Sequence, residues 1–136
     1  MARRFKQPKP QRGAHVQAPS VPEDYDKESP AFCLRHLQKG YHLDDCSPED
    51  KASFAMAQVT RSKLSWKQLR SAHRHGLGSE KITHDSINAG IPEQITEDVT
   101  LLAFRFSGKK PMVGYREREI FRVVWLDHDF SLYDHG

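Results

Sequence analysis

Three short apolar runs crowd the C-terminal third and limit what this chain can become. Val99-Thr-Leu-Leu-Ala-Phe-Arg-Phe, Met112-Val-Gly-Tyr-Arg and Ile120-Phe-Arg-Val-Val-Trp-Leu are rich in branched and aromatic residues, and Ser107-Gly108 opens a basic turn between the first two. Runs of this length and composition are strands, and links this short suit antiparallel neighbours, so a meander of three strands is predicted. Alternation puts Leu102, Phe104 and Phe106 on one face and Arg105 on the other. One face is therefore expected to pack beneath helices and the other to present cations to solvent.

The helices that fill the inner face announce themselves by their caps. Ser47-Pro-Glu-Asp supplies an N-cap hydroxyl, a proline at the first helical position and two acids where the free amides favour negative charge. Ala52, Ala55, Met56 and Val59 follow at helical spacing, a stripe expected to pack on the sheet as far as about Thr60. Ser65-Trp-Lys-Gln repeats the start signal as a capping box, with Trp66, Leu69 and Ala72 on one face of a shorter helix. Upstream, Ala31-Phe-Cys-Leu-Arg-His-Leu alternates loosely and fits a first strand, closed by a turn at Gly40. The loop from His73 to Lys81 carries two glycines, and residues 83–98 form a long irregular connection of the sort that serves function more than packing. The predicted fold class is α+β: a strand, two helices, then a three-stranded antiparallel meander, one small sheet with the helices on one face.

Residues 1–29 are expected to be a disordered basic tail and 30–136 a single domain. The tail holds Pro8, Pro10, Pro19 and Pro22 with few large apolar residues, too little to offset the entropy of ordering. Arg3, Arg4, Lys6, Lys9 and Arg12 all precede the first acid, Glu23, although the whole chain carries a formal charge of only +3. Such an arm either is drawn to phosphate backbones or keeps the protein in solution. No apolar run long enough to span a bilayer and no secretory signal occurs, so the expectation is a cytoplasmic protein without membrane contact. Cys33 and Cys46 lack CxxC spacing and are read as a reduced, buried thiol pair.

Three constellations can carry chemistry. The meander bears Arg105, Lys109, Lys110, Arg116, Arg118 and Arg122; with Arg105 and Arg116 on adjacent strands, two guanidinium groups can grip one phosphodiester, or the set is a solvated outer face. The tail Asp127-His-Asp-Phe-Ser-Leu-Tyr-Asp-His-Gly gathers two imidazoles, carboxylates and a phenol, the groups of general acid–base catalysis, or else anchors the terminus through Phe130, Leu132 and Tyr133. His73-Arg-His75, with His84 nearby, matches no closed zinc site, and a phosphate-contacting or plain surface loop explains it better. Trp66, Trp125, Phe104, Phe106 and Phe121 sit at core-facing positions, which leaves Tyr115 and Tyr133 as the rings expected to be exposed.

The order strand, two helices, meander and short tail resembles the RelE/ParE-type toxins of bacterial toxin–antitoxin modules. Phe104-Arg-Phe, Gly114-Tyr-Arg and the closing Ser131-Leu-Tyr-Asp-His carry the local likeness. The resemblance implies a metal-independent, cofactor-free endoribonuclease acting on RNA and neutralised by an antitoxin-like partner. Within it Arg105 and Arg116 would stabilise phosphate charge, Tyr133 would orient or donate, and His128 or His135 would move the proton. Arg74, Lys81, Lys109, Lys110 and Arg118 would hold nucleic acid. The meander also resembles small uncharacterised prokaryotic proteins, for which a non-catalytic nucleic-acid or protein binding module is the alternative.

Overall fold

The computed structural model describes residues 24–135. Two helices, α1 (Pro48–Ser62) and α2 (Trp66–Ser71), pack on a mixed sheet of five strands. The strands are β1 (Ala31–Cys33), β2 (Ser79–Ile82), β3 (Leu101–Ser107), β4 (Lys110–Glu117) and β5 (Ile120–Leu126), in spatial order β1-β5-β4-β3-β2. The class is α+β as expected, and the meander β3-β4-β5 forms its centre. It is extended on both sides. β1 joins β5 in parallel, and β2 pairs antiparallel with β3. β2 lies inside the stretch expected to be a loop, because Ser79-Glu-Lys-Ile is a polar edge strand with one large apolar residue and shows no alternation. Most of the predicted tail, residues 1–23, lies outside the described residues; the remainder holds a 3-10 turn, Tyr25–Lys27, packed against α2.

Both caps form as expected. Ser47 accepts from the Asp50 amide, and Ser65 and Gln68 close a reciprocal capping box. The face that α1 buries is another matter. Met56 and Val59 are 61% and 45% exposed, while Asp50, Phe54 and Arg61 are buried. The inward stripe runs 50, 54, 57, 61 and is bounded by two charged residues, so a reading based on hydrophobicity lands one step round the helix. Each of these two buried side chains is hydrogen-bonded locally. Asp50 accepts from Lys110 Nζ and Ser107 Oγ, each at 2.7 Å, and Arg61 donates through Nε to the Leu77 carbonyl at 3.1 Å.

Under the helices Phe54, Trp66, Leu69, Phe104, Phe106, Met112 and Phe121 form one core. The opposite sheet face carries a second core instead of facing water: Leu101, Val113, Tyr115, Trp125, Leu132 and Tyr133 are buried beneath Ile95 of the long connection and the C-terminal tail. The expectation of a bare cationic face fails for this reason. Tyr115 and Tyr133, expected to be exposed, are 7% and 6% accessible. Gly114 permits the bulge by which β4 follows β5, since a Cβ there would stand 1.9 Å from the Arg122 carbonyl oxygen. Cys46 is buried, Cys33 half-buried, and both are free thiols.

The Asp50–Lys110 pair ties α1 to the start of β4 and gives a stability prediction. Burial pushes the Asp50 carboxyl up, but the hydrogen bonds from Lys110 and Ser107 outweigh it and hold the group below its ordinary range. A depressed folded-state value stabilises the fold above the unfolded carboxyl range and is lost as pH falls through the folded value. Lys110→Met leaves the carboxylate buried without its cation and is expected to cost about 1–3 kcal/mol at pH 7. Urea unfolding at pH 7 and pH 3 checks this: the variant's deficit shrinks at the lower pH.

Candidate functional site

Arg105 lies on the second-core face near the end of β3, opposite Pro111, where the sheet emerges from beneath the C-terminal tail. β2 brings Glu80 beside Ala103 on the same face, and the loop before β2 brings Arg74 and His75. Together with Lys109 from the β3–β4 turn and Tyr133 and His135 from the tail, these residues line a groove of about 410 Å³. Five predicted residues, Arg74, Arg105, Lys109, Tyr133 and His135, therefore meet here.

The tail reaches the groove through a buried carboxylate. Asp127, wholly inaccessible, accepts from the Leu132 amide at 3.1 Å and from His135 Nε2 at 2.7 Å. A carboxylate can only accept, so Nε2 carries its proton and Nδ1 is the nitrogen left for other partners. Phe130, at a left-handed φ of 60°, turns the tail, and its ring meets His135 edge-on at 5.1 Å while Tyr133 stacks at 4.0 Å. The His135 side chain keeps 26% of its accessibility. Burial first, then Glu80 and Asp127, drives the Tyr133 phenol far above its ordinary range, so it stays protonated and serves as a donor, with Glu80 as acceptor.

On the opposite bank Arg105 Nη2 donates to His75 Nδ1 at 2.8 Å and Nη1 donates to the His75 carbonyl at 3.2 Å. An arginine cannot accept, so Nδ1 presents its lone pair and the imidazole is neutral in this arrangement. A 3.4 Å approach of Arg74 Nε to Nε2 competes for the same single lone pair, and the shorter Arg105 bond prevails. Desolvation, then the charges of Arg105 and Arg74, hold the His75 pKa below the ordinary imidazole value. Arg74 is itself steered by Glu80 at 3.0 Å.

The remaining predicted residues lie elsewhere. Arg116 is on the helix face, its guanidinium 4.3 Å from the centre of the Trp66 ring and 2.9 Å from Asp26, which also pairs with Arg70. Arg105 and Arg116 thus occupy opposite faces, and no phosphodiester can be gripped by both. His128 bonds the Gly40 carbonyl at 2.9 Å, away from the groove, because the tail reverses after it. Lys110 is committed to Asp50, and Arg118 occupies the β4–β5 turn at a φ of 57°. Arg122 is engaged with Glu117. Lys81 faces a cavity of about 1010 Å³ on the helix side with Trp66, Arg70 and Arg116. That cavity is larger, but both of its arginines are already paired with Asp26, and no imidazole lines it. His84 bonds the Val99 carbonyl at 2.7 Å, apart from the stacked His73 and His75, and no cluster placed to hold a metal ion occurs among the described residues.

Asp127 and His75 received no role from sequence reading, although both stand in stretches that it singled out. A carboxylate at the last strand's end, eight residues before a histidine, was the signal available for the first. No protein-family model, curated protein or solved structure matches this chain.

Proposed function

We propose that the groove cleaves RNA as a toxin-like, metal-independent endoribonuclease. The observation that carries this reading is the convergence of two imidazoles with contrasting partners, His75 on Arg105 and His135 on Asp127, in one basic groove. Strand cleavage by the neighbouring 2′-hydroxyl needs a base, an acid and charge stabilisation. A phosphate entering the groove attracts Arg105 and so releases the His75 lone pair. His75 takes the 2′-hydroxyl proton, the oxygen attacks phosphorus, and Arg105, Lys109 and Arg74 stabilise the added negative charge. The 5′-oxygen leaves with a proton donated by His135, whose ring Asp127 holds in position. The products are a 2′,3′-cyclic phosphate and a 5′-hydroxyl. A protein partner presenting acidic side chains to the groove would silence it, as an antitoxin does, and the order of elements supports kinship of architecture with RelE/ParE-type toxins.

The purified protein, incubated in EDTA with an oligoribonucleotide and with the same sequence in DNA, tests the proposal. Cyclic phosphate ends are expected from RNA alone, with activity rising with pH along a limb below the ordinary imidazole range, where His75 loses its proton. Salt-sensitive RNA binding with no cleavage would instead establish the binding module.

A further inference from the structure

Among the described residues, Arg61 is a cation without a counter-charge. It is 1% exposed at the last turn of α1, and none of the carboxylates among the described residues pairs with it. Its partners are the Leu77 carbonyl and the Phe104 ring, whose centre is 5.1 Å from the guanidinium carbon. Burial lowers its pKa to about 10, so it remains charged at neutral pH. A buried charge held by one carbonyl, a ring face and a helix C-terminus is an expensive feature for packing alone.

A second hollow, of about 430 Å³, opens on this residue. Thr60 and Met56 wall it on one side and Gly76 on the other, and His75 and Arg105 line it as they line the groove. The His75–Arg105 pair is therefore a partition shared by two adjoining hollows, with an uncompensated guanidinium beyond it. We propose that this second hollow holds the phosphate adjacent to the scissile one, with Arg61 as its cation, so that the protein engages at least two successive phosphates of an RNA strand. The inference rests on the groove being the cleavage site. Met56, 61% exposed on the rim, offers an apolar and polarizable shelf to the attached base.

Uncleavable 2′-O-methyl oligonucleotides with one or two phosphates distinguish the two hollows. The full-length protein is expected to bind the two-phosphate trinucleotide roughly tenfold more tightly than the dinucleotide, an advantage that falls to about unity in Arg61→Met. Arg61→Met risks misfolding, so Thr60→Glu, an exposed helical position that sets a carboxylate in the same hollow, provides the second variant; it is expected to abolish the advantage as well. An undiminished trinucleotide advantage in Thr60→Glu overturns the proposal. Inorganic phosphate separates this failure from failure of the groove: the Arg61 Nε–H resonance is expected to shift at millimolar phosphate, and an unmoved Arg61 resonance overturns the second hollow whether or not RNA is cleaved.

Discussion

Arg105→Gln is expected to lower the single-turnover rate of RNA cleavage by about 10²–10³-fold. Two consequences combine in that figure. The substitution removes the guanidinium best placed to meet charge developing on the phosphate, and it also removes the donor that holds the His75 Nδ1 lone pair and carbonyl. Glutamine can still donate through its amide nitrogen, but it is neutral and lacks the two separate nitrogens with which the guanidinium reaches Nδ1 and the carbonyl. The His75 pKa should rise when the Arg105 charge is gone, since that charge is the largest cause of its depression after desolvation. The acid limb of the pH–rate profile then moves to higher pH in the variant. A rate loss without this movement would separate charge stabilisation from the proposed coupling between the two residues. Arg116→Gln is the control, and cleavage by it should stay near the unmodified level because Arg116 lies over Trp66 on the far face.

A second large loss is expected from His135→Ala, about 10²–10⁴-fold in rate, the usual contribution of one positioned acid or base. A substrate carrying a better leaving group than a ribose 5′-oxygen should recover most of that loss, since protonation is then unnecessary. Asp127→Asn acts through His135: the amide's Nδ2 donates where the carboxylate accepted, so the imidazole is forced into the other tautomer and Nδ1, not Nε2, carries the proton. Its effect on stability should be small, because Oδ1 of the amide still accepts from the Leu132 amide inside the second core. Thermal unfolding measured alongside the rate resolves the two contributions: His135→Ala leaves Asp127 Oδ2 buried without its donor and is expected to lower Tm as well as activity, so its rate is compared at a temperature where both proteins are fully folded.

Local signals were legible in the chain and long-range ones were not. Serine caps at Ser47 and Ser65, and the branched and aromatic runs of β3, β4 and β5, are short-range properties, and they form as expected. β2 stayed hidden because an edge strand of Ser, Glu, Lys and Ile depends on its neighbour for pairing. The inward face of α1 was misplaced by one step because two of its buried residues are charged, and no hydrophobic scale rewards Asp50 or Arg61. Burial of Tyr115 and Tyr133 required knowing that residues around Ile95 fold back over the outer sheet face. The candidate site shows the same division. Residues within one strand or one tail were picked out by type, so Arg105, Tyr133 and His135 were found. Their separation from Arg116 and His128 is a matter of strand face and chain reversal, set by the register shift between Arg105 and Ser107 and by the left-handed turn at Phe130.

Chemical-shift mapping with an uncleavable 2′-O-methyl RNA tests most directly where this protein works. Saturating ligand is expected to move the resonances of His75, Arg105, Lys109, Tyr133 and His135 and to leave Lys81, Trp66 and Arg116 in place. Shifts confined to the helix-side cavity around Trp66 and Arg116, with the two groove imidazoles unmoved, would contradict the account.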